Sequence, residues 1–301
     1  VYSEMKKILY RKLKILGILL TEFSLITTMF ASTSWADKPI RIAITDLEGL
    51  EQLQREFGSF RDLLSKKTGL TIKFFPVGSR TAAVEAMRSK KLDFALSGPA
   101  EYVIFRVRTK AEPVVGFSRP DYFSPIIVMA DSGITKVKDL KGKKVAVGPI
   151  GSTSKHLAPM QIIKDNGIDP LKDIKVIHTS VKLGWEALKR GDVAAFGTTN
   201  DKFLTLRSIE KQFEPGAFRV IARGPDLPND VLLVRPGIDK KIIEKLRHAF
   251  TTYSKELVAE IIKGEDNKKF IGMKFLTGVK DSDYDYVRKM YGTIGNLQFS
   301  K

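Results

Sequence analysis

The chain has 301 residues, 43% hydrophobic and 28% charged, a balance that excludes a disordered or fibrous protein. It contains no cysteine, so disulfides add nothing and the size of the fold must supply stability. The formal net charge is +17, but the basic residues are spread over many helix faces, which argues against nucleic-acid binding and leaves a general attraction for small anions.

In chain order, residues 1–36 stand apart. "MKKILYRKLK" is basic, "ILGILLTEFSLITTMF" is mostly apolar, and "ASTSWA" ends in small residues before Asp37. That order predicts a secretory signal peptide with Met5 as its start and cleavage after Ala36. Thr21 and Glu22 interrupt the apolar run, which argues against a membrane anchor. Five Lys or Arg and two Glu lie in this segment, so the chain beyond it carries +14. Without a cysteine to accept lipid, the expectation is a protein free in a periplasm-like compartment.

Beyond residue 36 strand-like and helix-like segments alternate, which predicts an α/β fold with helices on the faces of its sheets. "IRIAITD" (40–46) reads as a strand, and 50–69 as a helix closing on Gly69. "TIKFFPVG", "RTAAVEAMRSKK" and "LDFALSG" follow as strand, helix and strand. After "YFSPIIVMADSG" (122–133) the pattern restarts. "KVKDLKG" predicts a short helix, "KKVAVG" a strand and 152–166 a helix. The alternation then runs to "FRVIARG" and "DVLLVR", and the remaining segments read as helices without a sheet of their own. Two lobes with the chain crossing twice accommodate this, with residues 37–123 plus 229–301 in lobe 1 and 124–228 in lobe 2. Ligands of open α/β sheets sit at the C-terminal strand ends.

The stretch "VGPIGSTSKHLAP" (147–159) falls at such a strand end and opens a helix. First-turn N–H groups there lack intrahelical partners, the macrodipole is positive, and Ser152, Thr153 and Ser154 add hydroxyls, together a cup for an oxyanion. A plain helix cap would account for the stretch taken alone. A nucleotide-binding phosphate loop would need Lys directly after the second Gly, and the order here is Gly-Ser-Thr-Ser-Lys. "ALSGPAEYV" (95–103) offers a second cup, with Ser97, the amides beyond it and Tyr102 one turn on; Pro99 suits a helix start. His156, His178 and His248 lack metal-ligand spacing, which predicts surface or capping roles and no metal site. No nucleophile elbow is present, so an exported hydrolase is the weakest functional reading.

"AVEAMRSKKLDFALSGPAEYV", "YFSPIIVMADSGITKVKDLKGKKVAVGPIGSTS", "GIDPLKD" and "PND" resemble the periplasmic substrate-binding proteins of phosphate, phosphite and phosphonate ABC transporters, over about residues 38–290. The resemblance implies a two-lobed type II periplasmic binding protein, each lobe a mostly parallel sheet flanked by helices, with the ligand cleft between lobes. It implies a monomer without cofactor or catalysis, which closes on a small phosphorus oxyanion and delivers it to an inner-membrane permease with its cytoplasmic ATPase. Ser152, Thr153 and Ser154 would grip the oxyanion, Tyr122 would face them, and an aspartate would fall near Asn200 or Asp201. Departures from the family pattern are Lys155 in place of Gly, Val181 and Lys182 in place of a histidine and an acid, and Arg80, followed by Thr81, in place of a ring side chain. Arg80 in the cleft would favour additional negative charge. An amine on the ligand would find only Asp201 or Glu101 as partner. A sensory protein presenting its closed form to a receptor kinase is the alternative with the same fold.

Overall fold

The computed structural model describes residues 38–47 and 49–301, so the signal-like segment 1–36 lies outside the described residues. The first sheet is built from β1 (Ile40–Ile44), β2 (Ile72–Phe74), β3 (Phe94–Ser97), β4 (Glu112–Phe117), β10 (Asp230–Val234) and β11 (Phe275–Leu276), in the order β11-β4-β10-β3-β1-β2. β1 pairs in parallel with β2 and β3, whereas β10 is antiparallel to both β3 and β4. Helix α1 (Leu50–Thr68) buries Leu53, Phe57, Phe60 and Leu64, spacings that repeat one helical face. That face packs on the sheet with α7 (Lys240–Thr252) and α8 (Ser254–Ile261). The other face is covered by α2 (Arg80–Arg88), α3 (Pro99–Thr109) and α9 (Asp285–Thr293).

The second sheet consists of β5 (Pro125–Met129), β6 (Lys144–Val147), β7 (Lys175–His178), β8 (Ala195–Gly197) and β9 (Phe218–Arg223), in the order β7-β6-β8-β5-β9. Its helices are α4 (Ala158–Asp165), α5 (Val181–Lys189) and α6 (Asn200–Ile209). The segment expected as a short helix, "KVKDLKG", is a 3-10 turn over Val137–Leu140.

The chain passes from the first sheet to the second between Phe117 and Pro125, and back between Arg223 and Asp230. The two passages bond to each other: Leu227 N–H donates to Tyr122 O at 2.7 Å and Gly224 N–H to Ser124 O at 3.1 Å. The arriving strands β5 and β10 enter antiparallel to their neighbours, so each mostly parallel sheet is mixed where the chain crosses. The C-terminal segment also supplies a strand that its short, Gly-flanked sequence did not announce. β11 pairs with β4, and Phe275 lies edge-on to Phe117 at 5.0 Å and to Phe250 at 4.7 Å. Each such aromatic pair contributes about 0.5–1.5 kcal/mol beyond area burial, enough to hold a two-residue strand.

Candidate ligand-binding cleft

A cavity of about 600 Å³ opens between the two sheets. Asp46 and Leu47 follow β1, Ser97 and Gly98 close β3, residues 152–155 follow β6, and Thr199 and Asp201 follow β8. The C-terminal ends of parallel strands from both sheets therefore face one space.

The hydroxyl loop starts a π-helical turn over Thr153–Leu157 before α4. Leu157 N–H donates to Ser152 O at 3.0 Å, closing a wider ring than an α-turn and leaving the earlier amides without intrahelical acceptors. Ser124 Oγ donates to Ser154 O at 2.6 Å, which fastens this turn to the first crossing segment. Gly148 N–H donates to Lys155 O at 2.6 Å, and a Cβ on Gly148 would fall 2.4 Å from Lys155 Cβ. Only glycine permits that approach. Gly148→Ala is expected to cost about 1–3 kcal/mol by overpacking, seen as a lower melting temperature together with weaker ligand binding.

His156 is not a surface residue: it is buried, and its Nδ1 accepts the Gly151 N–H at 3.1 Å, so the ring caps the loop from beneath. Its ring meets that of His178 at 4.6 Å, a contact between residues far apart in sequence. Burial, with His178 adding to it, drives His156 down to about pKa 4, which keeps the ring neutral and able to accept that N–H. Among the described residues no cluster of His, Asp and Glu could hold a metal ion.

Of the residues singled out in the sequence, Arg80, Ser97, Tyr122, Ser152, Thr153, Ser154 and Asp201 line the cleft. Three do not. Tyr102 is fully buried on the far side of α3, its ring 4.2 Å from that of Tyr284 and its hydroxyl donating to Asp281 at 2.7 Å. Thr81 points to solvent from the first turn of α2. On α6 the lining residues are Asp201, Lys202 and Thr205, a single helical stripe from which Asn200 is rotated away.

The second cup differs from the expectation too. Ala100 N–H at the start of α3 is taken by Thr153 Oγ1 at 2.9 Å, a bond that joins the two sheets' helix starts. The Glu101 N–H is satisfied by its own carboxylate. This tip therefore offers Ser97 Oγ and no free first-turn amide at Ala100 or Glu101. Ser97 Oγ and Thr199 Oγ1 are buried cleft hydroxyls without a hydrogen-bond partner, and the neighbouring Thr198 Oγ1, buried but outside the cleft lining, is in the same state. Buried polar atoms of this kind are rare unless a ligand or water completes them.

Charge in the cleft is balanced, with six basic and six acidic side chains along it. Arg80 pairs with Asp46 at 3.1 Å and touches Glu101, so its charge is matched and does not by itself call for a further anion. Lys269 reaches Asp46 at 3.0 Å and Asp230 at 3.7 Å. Arg119 lies 3.8 Å from Asp230 and 3.7 Å over the Tyr122 ring. Burial alone would raise the Asp46 carboxyl, but Lys269 and Arg80 hold it well below the usual range. Burial pushes Glu101 up to about 7 against the pull of Arg80, and raises Asp230 despite Lys269 and Arg119. Lys155, at a position where the family resemblance suggested glycine, lines the cleft, and burial lowers its pKa.

Several of these residues escaped the sequence reading. Asp46 closes the predicted first strand and Asp230 sits in "PND", so strand-end position was a usable signal for both. Arg119 lies just before Tyr122 in "SRPDY". Lys269 comes from a 3-10 turn over Glu265–Phe270, where nothing in the local pattern points inward.

Two sheets, crossed twice by the chain and facing a polar cleft with their strand ends, define a two-lobed periplasmic binding protein. The family described as "ABC transporter, phosphonate, periplasmic substrate-binding protein" matches residues 42–285. The chain belongs to that family. It is 27% identical over 248 residues to the phosphonates-binding periplasmic protein of Escherichia coli, covering 77% of this chain and 72% of the relative. Identity is 24% to the phosphate-import protein PhnD of Mycolicibacterium smegmatis, covering 92% and 95%. In fold it is similar to PhnD1 of Prochlorococcus marinus, solved in complex with methylphosphonate, with a TM-score of 0.59, 18% identity, and 86% and 99% of the chains covered.

Proposed function

We propose that this protein captures a small phosphorus oxyanion between its lobes and hands the closed complex to an inner-membrane permease driven by a cytoplasmic ATPase. The lobes are residues 37–123 with 229–301, and 124–228. The protein acts as a monomer without catalysis, free in the periplasm after loss of residues 1–36.

The observation that carries this reading is the pair of buried, unpartnered hydroxyls, Ser97 Oγ from the first sheet and Thr199 Oγ1 from the second, which line one cavity together with the 152–154 turn, Arg119 and Lys155. A tetrahedral anion has acceptor oxygens enough for donors arriving from both sides, and closure excludes water so that each bond counts for more. The volume, about 600 Å³, is in the usual range for small-molecule sites and leaves room for an alkyl substituent beside the anion.

Calorimetric titration of the protein with phosphate, phosphite and methylphosphonate tests this. At least one is expected to bind more tightly than about 1 mM, equivalent to roughly 4 kcal/mol. Weaker binding by all three overturns the reading. Thr199→Val, which removes one unpartnered hydroxyl at nearly constant shape, is expected to weaken binding about tenfold, as for one hydrogen bond to a charged group.

A further inference from the structure

The cations of the cleft are not all matched. Arg80, Arg119 and Lys269 are held by Asp46 and Asp230, and Lys268 stands 4.0 Å from Glu265. Among the described residues, Lys155 and Lys202 are the cleft-lining cations with no carboxylate at ion-pair distance. Both belong to the second sheet's side of the cleft, Lys155 in the π-helical turn directly after Ser154 and Lys202 in the first turn of α6. Asp201 is the one acid that lines this side, so the three side chains leave a single positive charge over.

Lys155 is the better placed of the two lysines. Its stem lies on the bare face of Gly148, where a Cβ would meet Lys155 Cβ at 2.4 Å and Cδ at 3.4 Å. That contact limits the rotamers of the lysine before a ligand arrives, so little side-chain entropy is left to lose on binding. Lys202, by contrast, is exposed. Burial lowers the Lys155 pKa; Asp46 and Asp201 pull against this without cancelling it, and Lys202 and Arg119 add to it. A partly desolvated ammonium without a counter-ion is costly, and an anion brought by the ligand removes that cost.

The phosphorus end of a ligand has its own donors in Ser97, Thr199, the 152–154 turn and Arg119, and the cavity leaves room for a substituent. We propose that this substituent carries a carboxylate and that Lys155 selects for it, so that the preferred ligand is a phosphorus oxyanion with a carboxylate-bearing tail. This rests on the oxyanion-binding reading above. A second phosphoryl group would bring up to two charges against the one in excess. An ammonium tail would face Lys155 and Lys202 with Asp201 alone to receive it.

The test is calorimetric titration of the wild type, Lys155→Met and Lys155→Arg with methylphosphonate, 2-aminoethylphosphonate and phosphonoacetate at about pH 7.5. The wild type is expected to bind phosphonoacetate about 10- to 100-fold more tightly than methylphosphonate, as for one hydrogen bond between charged groups, and the amine-bearing probe no more tightly than methylphosphonate. Methionine keeps the stem on Gly148 and removes the charge, so in Lys155→Met the advantage of phosphonoacetate falls to within about threefold, while Lys155→Arg retains part of it. A wild type that binds methylphosphonate or the amine-bearing probe as tightly as phosphonoacetate overturns this inference and leaves the oxyanion site intact. The same holds if Lys155→Met weakens methylphosphonate and phosphonoacetate by equal factors, because the lysine then serves the phosphorus end. Failure of all three probes and of phosphate and phosphite to bind overturns both readings. Should the variants fail to fold, the wild-type ranking of the three probes still decides.

Discussion

Replacing Arg119 with methionine is expected to weaken phosphorus-oxyanion binding by about 100-fold, the largest single loss in the cleft. The guanidinium is only 12% exposed and stands over the face of Tyr122, so its direction is fixed before a ligand arrives. Little side-chain entropy is then lost on binding, and its planar fork suits two oxygens of one anion. Hydrogen bonds to charged groups contribute about 1.5–3 kcal/mol each, and a desolvated pair sits at the upper end. Methionine keeps much of the packing on Tyr122 and leaves Asp230 with Lys269, which limits damage to the fold. Arg119→Lys is expected to recover part of the loss, through charge without the fork. Calorimetric titration with methylphosphonate checks both; wild-type affinity in Arg119→Met would show that the guanidinium serves Asp230 and Tyr122 alone.

The residues that the sequence made legible share one property: their position on a periodic element reveals which way they point. β1, α1, β3 and β6 each show a clear pattern, and the segments after them carry small or hydroxyl residues, so the strand ends and the hydroxyl turn could be placed without coordinates. Side chains whose direction depends on tertiary packing were placed less well. Tyr102 stands about one turn after Ser97 and could have faced either way. What draws it into the core is the ring of Tyr284 and a hydrogen bond to Asp281, 179 positions further along the chain. No local period or motif announces either partner. Asn200 and Thr199 adjoin in sequence, yet helix rotation places only the second in the cleft. The counter-ions of the cleft were hidden for a similar reason. Lys269 meets Asp46 across 223 positions, and that pairing is created by the return of the C-terminal segment to the first sheet. The same return explains β11, whose two residues are too few to carry a period.

Asp93→Asn is expected to cost about 3–5 kcal/mol of stability near neutral pH while changing ligand affinity little. The carboxylate is 3% exposed, immediately before β3 and at the end of the sheet away from Ser97. Arg41 of β1 donates to Oδ2 from Nε at 2.8 Å and from its backbone N–H at 3.0 Å. Arg235, just beyond β10, donates to Oδ1 from Nη2 at 2.8 Å and from Nε at 3.1 Å. One carboxylate thus ties three adjacent strands, and removing its charge leaves two guanidinium groups facing a neutral amide. Breaking a buried pair on one side costs this much because the other charge remains in place. Burial opposes ionisation of Asp93, but the Arg41 and Arg235 bonds outweigh it and hold the folded-state pKa below the ordinary value. A depressed carboxyl pKa stabilises the fold above the unfolded value, near 3.9, and that stabilisation is lost as pH falls through the folded value. Denaturant titrations of wild type and variant should therefore differ most near neutrality and converge in acid below about pH 4. A constant gap across that range would mean that shape, and not the ionised carboxylate, ties the strands.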